Sequence, residues 1–368
     1  MAGKDRIDRA RKPRDPPPRI ARRDRNAKRD VRVELNWRHK RQDRKAAAAR
    51  QLRERSGGSG IADDCFGWKA VISSALPWRR FTRMGCSNIG GELMPYRHAH
   101  YYLLLLVALT GLAFWPIYFS ILPSASVALH IHGFSASLWI ALLTVQSWTI
   151  HSRRNEWHRF VGVASLAIFP LFFAGSILIV HTMASNFTSG DLFDGRFGAR
   201  FAAFDVVAVP AIAFLYWSGL RWRRKVHLHA RYMLATVLFL FEPIFSRLFL
   251  QYIPGLQVTP PEFARLPLDV ELSSLGALLL AVALAWKQPK HARPWLITAA
   301  LLGLQMLVFP TLGVWRPWES LVRGFTFIPA ALLFSLGVAV GAVVSWLGWN
   351  SIPTRPASRV QAAGIVDA

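Results

Sequence analysis

The chain has 368 residues, 52% of them hydrophobic, with 15 Trp, 24 Phe and a formal charge of +24. This composition excludes a disordered protein, a collagen and a disulfide-stapled secreted domain. The apolar residues come in long blocks, which argues against an ordinary soluble enzyme and for an all-α polytopic transmembrane helix bundle.

The first stretch, residues 1–93, holds 25 Lys and Arg against 11 Asp and Glu, with little apolar clustering. Such a segment buries too little surface to offset its ordering entropy, so it is expected to be a mostly disordered basic arm. No apolar h-region follows its charges, as a signal peptide requires, and its acidic residues disfavour a transit peptide. Binding to anionic lipid headgroups suits the arm. Specific nucleic-acid binding is not expected, since no fold or interleaved aromatics support it. Gly57-Gly58-Ser59-Gly60 reads as a flexible linker. Cys65 and Cys86 form neither a CxxC site nor a disulfide framework. Met94-Pro95-Tyr96-Arg97-His98 itself reads as a start for a polytopic protein, so a mis-assigned start upstream is an alternative.

A spanning helix needs about 20 mostly apolar residues. Within 94–350 eight segments qualify: 101–122, 126–150, 159–182, 201–221, 231–252, 268–287, 294–314 and 324–347. Pro116, Pro170, Pro210, Pro243, Pro310 and Pro329 fall inside them, which a membrane bundle tolerates. The loops after spans two, four and six, with flanking span ends, carry eleven basic residues and one acid, Glu156. The other loops carry five basic residues and four acids. The positive-inside rule therefore puts the first set and both termini in the cytoplasm, including the tail 351–368 with Arg355 and Arg359. The expected location is a bacterial inner membrane. Trp139, Trp148, Trp157, Tyr216, Trp217 and Trp222 are read as an aromatic belt.

Ionisable groups inside a span are expensive and point to function. Asp205, Glu242 and Arg247 are of this kind. Arg247 and Asp205 fall at similar depth and are expected to pair, so Asp205→Asn alone should strand a buried cation. Asp269 and Glu271 fall at the edge of span six, within reach of headgroup water.

The histidines divide by membrane side. His130, His132 and His181 fall toward the outer face, and His158 and His229 toward the inner face. His132, Trp139 and Gln146 are spaced by seven and share one helix face. Two spans each bringing a His at one depth would suit a bis-His haem, His132 with His181 or His158 with His229. Arg247 would then pair a propionate. The competing reading is that these are interfacial or carbonyl-bonded histidines. His151, His227 and His291 read as loop residues. No Walker A, HExxH, GxSxG or pre-helical GxGxxG occurs.

His130-Ile131-His132-Gly133, Trp139, Gln146 and His158-Arg159 with Gly162 form one motif. His229-Ala230-Arg231-Tyr232-Met233 with Arg247 forms another. Together they resemble a group of uncharacterised bacterial multi-pass membrane proteins, over residues 94–252. More distantly, histidines near both faces of neighbouring helices resemble the four-histidine haem bundles of cytochrome b561 and haem A synthase. That resemblance implies haem-based membrane electron transfer. Three functions follow: a haem-bearing redox protein, a transporter or channel with an intramembrane polar site, and a non-catalytic scaffold.

Overall fold

The computed structural model describes residues 96–258 and 263–351, which form helices joined by short turns, with no strand among them. The arm, both cysteines and the tail 352–368 lie outside the described residues. Helix α1 spans Ala99–Phe114 and stops just before Pro116, whose ring and missing N–H end a helix. A 3-10 turn, Phe119–Ser124, leads to α2, Val127–His151. The Ser126 hydroxyl caps α2, accepting the Leu129 N–H at 3.3 Å. Arg153 turns the chain at φ 58° into α3, Asn155–Ser189, whose 35 residues exceed what a bilayer needs. It ends on Gly190 at φ 76°, the left-handed position that glycine adopts without a Cβ clash.

Asp191 then starts α4, Asp194–Arg221, by accepting the N–H groups of Phe193 and Asp194, each at 2.9 Å. The bonds from Asp194 and Phe193 hold the Asp191 carboxyl below the ordinary carboxylate range. The fifth span is two helices, α5 (Val226–Leu238) and α6 (Phe241–Tyr252). The sixth and seventh are α7 (Leu266–Lys287) and α8 (Arg293–Val308). The expected eighth span, 324–347, is divided: α9 (Arg316–Phe325) is a short separate helix, and α10 (Ala330–Asn350) is the apolar one. Seven of these segments are long and apolar enough to cross a membrane, and α1 is a shorter apolar helix. The chain is a multi-pass helical membrane protein. Of the six span prolines, only Pro170 and Pro210 sit inside long helices; the others mark helix ends.

Helix α4 is the hub, packed against α3, α5, α8 and α10. Its buried Ala202, Ala203, Ala208 and Ala211 let neighbours approach closely, as membrane interfaces require. At the basic end of the bundle, α2 finishes, α4 finishes, and α3, α5 and α8 begin. The distal end carries the α3–α4 turn and α9. Trp139 and Tyr216 are no belt residues: both are 0% exposed. Trp139 stacks on Phe172 at 5.9 Å between centroids, lies edge-on to Tyr216 and donates its N–H to the Thr236 hydroxyl at 3.1 Å. A helix midpoint seven residues from either polar neighbour in the motif faces the core, where the ring's N–H found a partner.

Helix α10 touches α3 through Gly337 and Gly341. A Cβ at Gly341 would stand 2.6 Å from the Pro170 Cα, a backbone atom that cannot yield. Gly341→Ala is expected to cost about 1–3 kcal/mol through overpacking. Thermal unfolding of the purified protein in detergent checks this, and an unchanged midpoint would contradict it.

A candidate polar centre at a broken helix

Pro243 explains the break in span five. It cannot donate to the carbonyl of Phe239, and its ring crowds that position. The α-helical hydrogen-bond ladder is therefore interrupted at Phe239 and Leu240, which keep right-handed helical backbone angles, and resumes at Phe241, with Pro243 in the first turn, where no N–H is needed. Glu242 and Arg247 are carried by the new half-helix. The sequence placed a proline inside span five but gave no sign that the helix would restart there.

Glu242 is 4% exposed. The Ser246 hydroxyl, one turn on, donates to its carboxylate, while Oε1 has no partner among the described residues. Arg247 donates from Nη1 to the Pro243 carbonyl at 2.8 Å, and its guanidinium lies 4.8 Å from the Phe114 ring centroid. Glu242, Asp205 and Asp194 all act on it electrostatically, and Arg247 acts in turn on His132. The expected Asp205–Arg247 pair is thus not a direct ion pair among the described residues. Arg247 is a counter-ion shared by three carboxylates from α4 and α6. Asp205→Asn leaves two of them facing the guanidinium, so it strands the cation less than the sequence suggested.

The break also borders a cavity of about 80 Å³. Leu240 and Pro243 line it from the break, His132 and Gly133 from α2, and Thr110 and Phe114 from α1. His132 Nδ1 is buried with no partner, and its ring lies 6.2 Å from that of Phe172. His181 does not line this cavity; its ring lies 5.8 Å from Phe325, beside α9. This cavity therefore takes one of the two outer histidines. A space of this size is far below the roughly 300 Å³ at which pockets for larger ligands begin, so a haem does not fit there.

The inner histidines do come together. His158 and His229 have ring centroids 6.4 Å apart with planes at 86°. His158 Nδ1 donates to the Gln146 carbonyl at 3.2 Å, and His229 Nδ1 to the Gly219 carbonyl at 2.8 Å. A carbonyl only accepts, so each Nδ1 carries the proton and each Nε2 keeps a lone pair. Gln146 returns the bond, donating to the His158 carbonyl at 3.0 Å. A Cβ on Gly162 would stand 3.3 Å from the Gln146 amide. The Gln146, His158 and Gly162 of the motif are one lock between α2 and α3, remote from the broken helix. Arg159 and Arg223 act electrostatically on this pair. Arg223 donates to the Trp349 carbonyl at 2.7 Å, and burial, with Arg224 beside it, brings it down to about 10, still charged at neutral pH.

The remaining basic-end histidines are not simple loop residues. His151 closes α2 and bonds the Ser147 carbonyl at 2.7 Å, and His227 and His291 stack with centroids 4.9 Å apart. At the distal end Asp269 departs from expectation. It is 0% exposed, and neither carboxylate oxygen has a partner among the described residues. Its neighbours in the first turns of α7, Leu266 and Val270, belong to the cluster of Phe197, Phe204 and Phe263, so this turn is packed into the protein rather than set in headgroup water. Among the described residues no group of three or more His, Cys, Asp or Glu is arranged to hold a metal. Compared with protein-family models, curated proteins and solved structures, the chain matches none.

Proposed function

We propose that this is a membrane transport protein whose working centre is the polar cluster at the α5–α6 break, with the basic end of the bundle in the cytoplasm. The observation that carries this is the break itself, set among Glu242, Arg247, Asp205 and His132 beside a cavity. In hydrocarbon an interrupted helix is tolerated only where protein or water satisfies its freed groups. Discontinuous helices that bring half-helix ends to charged groups at membrane depth are how many transporters build their sites. Arg247 supplies a fixed positive charge and the three carboxylates supply exchangeable negative ones. The loop charges, eleven basic to one acidic at the basic end, support the orientation.

Cysteine accessibility tests the reading. With Cys65 and Cys86 replaced by Ser, Leu240→Cys and Ser137→Cys in proteoliposomes should react with a membrane-impermeant thiol reagent. Transport predicts reaction from either side of the membrane, in separate experiments. No reaction from either side would show a sealed core and end the proposal.

A second reading is favoured by the inner histidine pair. Two neighbouring imidazoles with both Nδ1 atoms tied to carbonyls leave each Nε2 as the free ligand atom, the donor chemistry that a haem would need. A haem, when bound, would supply one-electron transfer. His158 and His229 would hold it, with Arg159 and Arg223 the cationic side chains that act on the pair. The absorption spectrum of protein purified from haem-supplemented cells is expected to show a Soret band lost in His158→Ala and in His229→Ala. A colourless wild-type protein removes this reading and leaves the first untouched.

A further inference from the structure

We infer that the species bound at the broken-helix centre is a cation, held between Glu242 of α6 and Glu271 of α7. This deepens the transport reading and rests on it. Glu271 acts electrostatically on Glu242 across the α6–α7 contact. Both have a buried Oε1 with no hydrogen-bond partner among the described residues. Ser274 lies three residues on from Glu271, on the same side of α7, is 1% exposed, and also leaves its hydroxyl unpartnered. The buried atoms left open on these two helices are therefore oxygens, and a site that offers several oxygens and little else selects a hard cation.

The charge balance points the same way. Arg247 serves Glu242, Asp205 and Asp194, but no cationic side chain among the described residues acts on Glu271. His132 faces the centre from the opposite wall, already beside Arg247. An incoming anion would meet four carboxylates around one guanidinium. A buried carboxylate, Glu242, facing the field of a second, part-buried one, Glu271, is stabilised by a cation, and that cation is either a metal ion or a proton.

The test uses the full-length protein, purified in detergent and in proteoliposomes. Radioactive sodium, potassium analogue (rubidium) and calcium are titrated at constant ionic strength. Saturable binding of one of them is expected, at least tenfold weaker in Glu242→Gln and in Glu271→Gln, weaker at pH 5 than at pH 8, and unchanged in Glu319→Gln on α9. Glu242→Asp and Glu271→Asp should keep measurable binding, which separates a lost ligand from a misfolded variant. If the bound cation is a proton, no metal binds, and a pH dye inside the vesicles reports proton uptake under an inside-negative potential, absent in both Gln variants. Neither metal binding nor proton uptake, with Leu240→Cys still labelled from both sides, would overturn the cation assignment and leave the transport reading standing. Saturable chloride binding lost in Arg247→Gln would overturn it as well. Absence of labelling would instead remove the transport reading beneath it.

Discussion

Arg247→Leu is expected to be the most damaging single change in the polar centre, lowering stability by about 3–5 kcal/mol, the cost of leaving buried charges without their partner. The reason is the count of groups that depend on it. Glu242 is almost fully buried, and Asp205 and Asp194 share the same guanidinium. Removing it leaves Glu242 and Asp205 repelling each other and takes the counter-charge from Asp194. Asp205→Asn should be milder, because two carboxylates remain to balance Arg247. The double variant Arg247→Leu with Glu242→Gln should recover part of the loss, since it removes the most buried of the stranded charges. Folded yield after membrane extraction and unfolding midpoint in detergent measure this cycle. Independent, additive effects of the two changes would show that the groups do not share one field.

Trp139→Ala should cost about as much, about 3–5 kcal/mol, for a different reason. Its indole is 0% exposed between Phe169, Phe172 and Tyr216, so truncation opens a cavity where α2, α3 and α4 meet. It also leaves the Thr236 hydroxyl of α5 without the donor that now reaches it at 3.1 Å. Trp139→Phe keeps most of the ring volume and loses only the N–H, so it should fall nearer the roughly 1–3 kcal/mol of one unmet buried hydrogen bond. Equal midpoints for wild type and Trp139→Ala would contradict the packing described for this core.

The helices were legible because apolar run length is set by bilayer thickness, which leaves a plain record in the sequence. Seven of the eight expected spans found a helix long enough to cross, with the eighth trimmed to begin at Ala330 and α9 cut from its start; the first, expected over 101–122, ends at Phe114, because Pro116 stops it. The intramembrane charges were legible for the same reason, since each stands against an apolar background. What they contact was not. Depth along a helix follows from counting residues, but the facing neighbour depends on which helices pack together. That is why Arg247 was assigned one partner and has three, and why Asp269 was placed in water and is buried. Trp139 was misread because interface aromatics and core aromatics have the same composition. The break at Phe239 was hidden because Pro170 and Pro210, equally central in their spans, leave their helices continuous. The inner histidine pair was placed at one depth, but its spacing and its carbonyl bonds come only from α3 lying beside α4 and α5.

The central claim is that span five is interrupted at Phe239–Leu240 and opens there onto a polar, hydrated centre. Hydrogen–deuterium exchange of the protein in lipid nanodiscs addresses it directly. A peptide covering residues 236–246 should exchange within minutes, far ahead of the peptide covering residues 202–214 of α4, which is helical throughout and buried at the hub. Equal, slow exchange of the two peptides would mean a continuous, dry fifth helix and would contradict the account.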